Sequence, residues 1–321
     1  MVKIHISFIL ILSLLNLIYA QEDEKIKPVI GIYGNPDPEN NDTFVNGTYY
    51  PVQYIYWLES AGAEVMAIHY WYDLDVIDEL LNKVNGVLFL GGGRDFIKEG
   101  VWEQKAKFIM DQSLIYHLPI WATCQGFQLM GIIMSDNYTF LRYGFNDSNV
   151  MHGVEFTEYT KSSIMYNLFT KKDYEILQNG ESTIYNHHYG FYPEEFYREE
   201  RLNELFVVTT ISEDLDGLKF INSFEGKNDS IKLFATQFHP EKNPYKRYNY
   251  IVEQNIDSLI VSQKLAMSFV EEARKNKNRF DSTSNDKGDR AKFDFFDTIR
   301  GTPNSRFDKK SETFYFSKKE K

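Results

Sequence analysis

The chain has 321 residues, 43% hydrophobic and 25% charged, which supports a globular core and excludes disorder throughout. With only 19 Gly and 9 Pro, collagen-like and low-complexity classes are excluded as well. A formal net charge of −11 offers polyphosphate no long-range attraction, so nucleic-acid binding is disfavoured, although a local pocket can still take a small anion.

The chain opens with Lys3, an almost unbroken apolar run over 6–18, and the small Ala20 before Gln21-Glu22-Asp23-Glu24. Residues 1–20 therefore read as a cleaved secretory signal. The run is short for a permanent membrane anchor, and no later segment is apolar enough to replace it. Asn-X-Ser/Thr triplets at Asn41, Asn46, Asn137, Asn146 and Asn228 agree with a glycoprotein of the secretory pathway and would have to lie on the surface.

After the signal, strands and helices alternate. Apolar, β-branched runs predict strands over 28–32, 64–68, 86–90 and 118–122. Helical spacing predicts helices over 50–61 and 75–84, within 96–116, and over 127–134. Strands apolar on both faces argue for a parallel sheet covered by helices on both sides. Right-handed crossovers then set the strand C-termini along one edge, where open α/β sheets bind ligands. Beyond residue 150 the helical period fades into short β-like runs at 205–210 and 231–237. A helix over 255–275 follows, and after Asn276 the composition turns polar. Residues 280–321 read as a flexible, solvated tail, apart from a possible docking of the aromatics in 293–296.

Two of the predicted strand ends carry chemistry. Cys124, the sole cysteine, can form no internal bridge. It stands in Ala122-Thr123-Cys124-Gln125-Gly126, with small residues two before and two after it, between a strand and a helix. That is the spacing of a nucleophile elbow. A thiol there faces a helix N-terminus that favours thiolate, and the Gln125 N–H can stabilise an oxyanion. The strand before it ends in Gly91-Gly92-Gly93, whose backbone can approach a substrate closely, with Gly92 as the second oxyanion donor and Gly91 and Gly93 beside it. Of the 7 histidines, His239 follows a strand-like run and precedes Pro240-Glu241. A carboxylate two residues on can turn back to fix the imidazole. His69, His117 and His152 lack such company and read as structural or surface residues.

Together these residues resemble the class I glutamine amidotransferase-like superfamily, and within it the γ-glutamyl hydrolases. The resemblance rests on Tyr54-Ile55-Tyr56-Trp57-Leu58-Glu59-Ser60-Ala61-Gly62-Ala63, Gly86 through Gly92, Thr123-Cys124-Gln125-Gly126-Phe127, Asn186-His187-His188, the run from Gln237 to Tyr245, and Phe269 through Asn276. It runs from Pro28 to about Arg279, so 21–279 is expected to be one catalytic domain. It implies a three-layer α/β sandwich of flavodoxin-like type. It also implies Cys124 as nucleophile, His239 as proton carrier, Glu241 as the carboxylate of a Cys-His-Glu triad, and His188 as a pocket histidine. Ala122 departs from the family's usual Gly, and Gln128 stands where an acidic residue is expected. The implied activity is hydrolysis of γ-glutamyl bonds, with folate polyglutamates as substrate by the family's name and no metal or organic cofactor. Family members are lysosomal, vacuolar or secreted, which fits the signal. The expected partner is the small γ-glutamyl substrate, without nucleic acid or, after signal removal, membrane; assembly as a homodimer is left open. Two other readings are a glutaminase feeding a synthetase and a secreted binding glycoprotein on an inactive scaffold.

Overall fold

The computed structural model describes residues 27–37, 47–180, 182–245, 251, 254–279, 305–309 and 312–317. The expected signal, Asn41, Asn46 and the aromatics of 293–296 lie outside the described residues. Asn146 and Asn228 are exposed and Asn137 is half-buried.

The central sheet begins with Val29–Tyr33 (β1), five successive buried residues. A short strand, Asn35–Pro36 (β2), and a longer one, Gly47–Pro51 (β3), lead into helix Val52–Ser60 (α1). Then come Glu64–Ile68 (β4), Leu74–Leu81 (α2), Gly86–Phe89 (β5), Val101–Tyr116 (α3), Ile120–Thr123 (β6) and Gln125–Ser135 (α4). Strands β1, β5 and β6 are buried along their whole length, as expected of parallel strands covered on both faces.

The second half adds Arg142–Met151 (β7), Glu155–Phe156 (β8), Lys171–Gln178 (α5), Ile184–Gly190 (β9), Pro193–Phe196 (α6), Glu200–Leu205 (α7), Phe206–Glu213 (β10), Lys219–Gly226 (β11), Leu233–Thr236 (β12) and Ile256–Lys275 (α8). The eight-stranded sheet has the order β4-β1-β5-β6-β12-β11-β10-β8. It is parallel from β4 to β12 and antiparallel from there outward. One face packs on Trp57 and Leu58 of α1 and on Leu265 and Phe269 of α8. The other packs on Ile77 of α2, Ile109 of α3 and Phe127 of α4. This is the helix-covered sheet that the strand–helix alternation predicts and the three-layer α/β sandwich that the resemblance implies.

The structure differs from the sequence-based elements in three places. Helix α3 starts at Val101, not near 96, because Glu99 takes a positive φ of 64° and Gly100 is extended. Strands β7 and β9 pair with each other as a separate two-stranded ribbon. The third difference lies in the segment expected to be a solvated tail. Its described parts form Ser305–Asp308 (β13) and Thr313–Ser317 (β14), an antiparallel pair laid on β3. Phe314 and Phe316 alternate inward from β14 and join the core beside α1, which gives this hairpin an apolar anchor that composition alone conceals.

Candidate active site

Strand β12 pairs in parallel with β6, with Thr236 level with Thr123. Cys124 follows Thr123, and its N–H donates to the Thr236 carbonyl at 2.7 Å. Both chains therefore leave the sheet at the same edge, and His239 is delivered there from β12. Cys124 takes φ 51° and ψ −104°, a strained conformation for a residue with a Cβ. The close fit around it explains the small neighbours. A Cβ on Gly126 would stand 2.7 Å from the Phe89 carbonyl oxygen.

His239 precedes the 3₁₀ turn Pro240–Lys242, which brings Glu241 back to the ring. The imidazole Nδ1 donates to Glu241 Oε1 at 2.7 Å. That bond leaves Nε2 available to the Cys124 thiol. The backbone N–H of His239 donates to the Ile184 carbonyl at 2.9 Å, fixing the ring's base to β9. Cys124, His239 and Glu241 are all buried. Burial by itself raises the pKa of the thiol, but the adjacent His239 charge and hydrogen bond, with Lys242 behind them, bring it below its ordinary value. For His239 burial and Lys242 press the pKa down, while Glu241 and the Cys124 thiolate raise it above its usual value. Both shifts act in the direction that favours thiolate and imidazolium. The Gln237 side-chain amide adds a donor 3.7 Å from Cys124 Sγ.

A cavity of about 850 Å³ opens over Cys124 and His239 and is lined by Gly91, Gly92, Gly93 and Gln125 as well. The three glycines differ. Gly91 N–H already donates to Tyr54 Oη at 2.9 Å, and its carbonyl accepts from Asn35 Nδ2 at 3.1 Å. A Cβ on Gly92 would displace the side-chain ends around it, lying 2.3 Å from Gln125 Oε1, 2.6 Å from Asn35 Nδ2 and 2.7 Å from Tyr49 Oη. Gly93 faces open space.

The histidine pair on β9 separates by strand alternation. His187 is buried in the cavity wall, its Nδ1 donating to the Tyr189 carbonyl at 2.9 Å and its Nε2 lying 3.3 Å from the buried Asp147. His188, the sequence-derived candidate, borders the cavity from the exposed side, bonded to Ser148 Oγ at 3.0 Å and to the Phe145 carbonyl at 2.9 Å. Among the remaining histidines, His152 pairs with Asp147 at 2.9 Å. His69 is buried against Trp71, its pKa lowered to about 3 by burial. His117 takes the left-handed C-cap of α3.

Sequence reasoning did not single out Asn35, Tyr49, Tyr54 or Gln237, all of which reach the site across the fold. Gln128, the departure from an acidic residue, has a role of its own: Nε2 donates to the Tyr189 carbonyl at 2.9 Å and to Gln237 Oε1 at 3.3 Å.

Residues 50–258 match the family model described as glutamine amidotransferase class-I. The chain is 30% identical over 260 residues to γ-glutamyl hydrolase B of Dictyostelium discoideum, covering 79% of this chain and 74% of that one. It is 29% identical over 274 residues to the γ-glutamyl hydrolase of Homo sapiens, covering 82% of each. In fold it is similar to the glutaminase domain of a Trypanosoma brucei CTPS, with a TM-score of 0.51 at 16% identity over 78% of this chain and 95% of that domain. With these matches the chain belongs to the class I glutamine amidotransferase family and, within it, to the γ-glutamyl hydrolases.

Proposed function

We propose that this chain is a cysteine hydrolase that cleaves γ-glutamyl peptide bonds, with folate poly-γ-glutamates as the substrate class. The observation that carries the reading is the buried set Cys124, His239 and Glu241 on one cavity, with His239 Nδ1 bonded to Glu241 at 2.7 Å. The Cys124 thiolate attacks the γ-carbonyl carbon, and the carbonyl π-pair moves to oxygen. N–H groups of Gly92 and Gln125 receive that oxyanion, each donor contributing on the order of 10²–10³ in rate. The tetrahedral adduct collapses to a thioester as the imidazolium of His239 gives its proton to the departing amine. His239, now neutral, takes a proton from water as the hydroxyl adds to the thioester. Collapse then releases the acyl portion with a free γ-carboxylate and regenerates the thiolate. Glu241 holds the imidazole in one orientation throughout. His187 forms the buried wall of the pocket, in preference to His188.

The chain's expected passage through the secretory pathway, with glycans at its Asn-X-Ser/Thr sites, belongs to the same reading. Among the described residues no helix is long and apolar enough to cross a membrane.

Cys124→Ala should abolish release of glutamate from γ-glutamyl-glutamate while leaving the circular dichroism unchanged. Retained turnover in that variant, or wild-type hydrolysis of free glutamine in preference to the dipeptide, would overturn the reading. Chromatography of products from a pteroyl-pentaglutamate incubation assigns the substrate and the position of cleavage.

A further inference from the structure

Arg94 follows the glycine turn directly and lines the same cavity as Cys124. Its guanidinium carbon stands 5.0 Å over the ring of Trp102, which is itself buried. Nε donates to the Asp95 carbonyl at 3.3 Å. A terminal nitrogen lies 3.6 Å from Glu103 Oε1, near enough for attraction but beyond hydrogen-bond length, and that oxygen already accepts the Ile97 amide at 2.9 Å. The Arg94 carbonyl accepts Gln125 Nε2 at 2.6 Å, which ties this point of the backbone to the residue after the nucleophile. The guanidinium is thus held by stacking and by its backbone, while its terminal N–H groups have no hydrogen-bonded acceptor among the described residues.

Such a group is a pre-oriented anion receptor. A γ-glutamyl peptide carries carboxylates on both sides of the scissile bond, and it must enter a chain of net charge −11. We propose that Arg94 is a specificity-determining residue whose guanidinium receives a substrate carboxylate, an inference that rests on the γ-glutamyl reading above. A planar fork of N–H donors matches a carboxylate bidentately, which a lysine ammonium does not. The carboxylate belongs either to the attacked glutamyl residue or to the departing amino acid.

Two substrates separate these sources: γ-glutamyl-glutamate, and γ-glutamyl-p-nitroanilide, whose single carboxylate is on the acyl residue. In the full-length Arg94→Gln variant, KM for the dipeptide should rise at least about tenfold, the loss expected for one charge-assisted pair, with kcat nearly unchanged. Arg94→Lys should recover part of the loss. An equal rise with the anilide assigns the carboxylate to the acyl residue; an unchanged anilide KM assigns it to the leaving side. Unchanged KM for both substrates, or a loss confined to kcat, overturns the proposal. Should Arg94→Gln fail to fold, Arg94→Lys decides alone: its dipeptide KM must rise about threefold or more, and an unchanged value overturns the inference. Wild-type protein that cleaves neither substrate overturns the γ-glutamyl reading, and this one with it. Wild-type protein that cleaves them, with Arg94 indifferent, overturns this inference only.

Discussion

The hydroxyl of Tyr54 accepts the amide hydrogen of Gly91 at 2.9 Å, and the same oxygen lies 3.4 Å from His239 Nδ1. One phenol from α1 thereby links the glycine segment to His239. Removing it in Tyr54→Phe leaves a buried N–H unsatisfied, at about 1–3 kcal/mol. We expect a kcat loss of about tenfold or more, consistent with about 1.4 kcal/mol at the transition state, with a small fall in melting temperature. Steady-state kinetics and a thermal scan check both.

The coupled titration of Cys124 and His239 has a defined sign. A thiol lowered from its ordinary pKa stays reactive toward iodoacetamide below the usual thiol range, near about 8.5. An imidazole raised above its usual value sets the alkaline limb as it loses its proton. Glu241 is part of what raises His239. In Glu241→Gln the alkaline limb of kcat/KM should therefore move to lower pH. A limb that stays in place in the pH–rate profile would show that the carboxylate does not support the imidazolium.

Gly92→Ala and Gly126→Ala should fail in different ways. At Gly92 the new methyl meets side-chain atoms of Gln125, Asn35 and Tyr49, which can give way. Activity should fall by at least tenfold with little change in stability. At Gly126 it meets the Phe89 backbone at 2.7 Å, which cannot yield without moving β5. A loss of about 1–3 kcal/mol is expected there, read by denaturant unfolding.

Phe316 is 1% exposed and pairs across from Thr48 on β3. Phe316→Ala should cost about 3–5 kcal/mol. Thr313 of the same strand lines the cavity, and β3 carries Tyr49 to Asn35. Truncation after Arg279 should accordingly lower both melting temperature and activity. Full activity in the truncated chain would separate the hairpin from the site.

The sequence by itself determined the alternating strands and helices up to α4, because hydrophobic periodicity is local and these strands are buried on both faces. It also determined the elbow at Cys124, where small neighbours are required because the chain passes from strand to helix at that one residue, and the nearness of Glu241 to His239, two positions apart. Tertiary structure alone decided the remainder. The register of β12 on β6 brings His239 to Cys124, and strand alternation at β9 turns His187 inward and His188 outward. Tyr54 and Asn35 reach the site from elements distant in sequence from both Cys124 and His239. The terminal hairpin, polar in composition, docks because two phenylalanines two residues apart point the same way on a strand. Each of these depends on contacts between segments far apart along the chain, whose energies no local pattern of residues encodes.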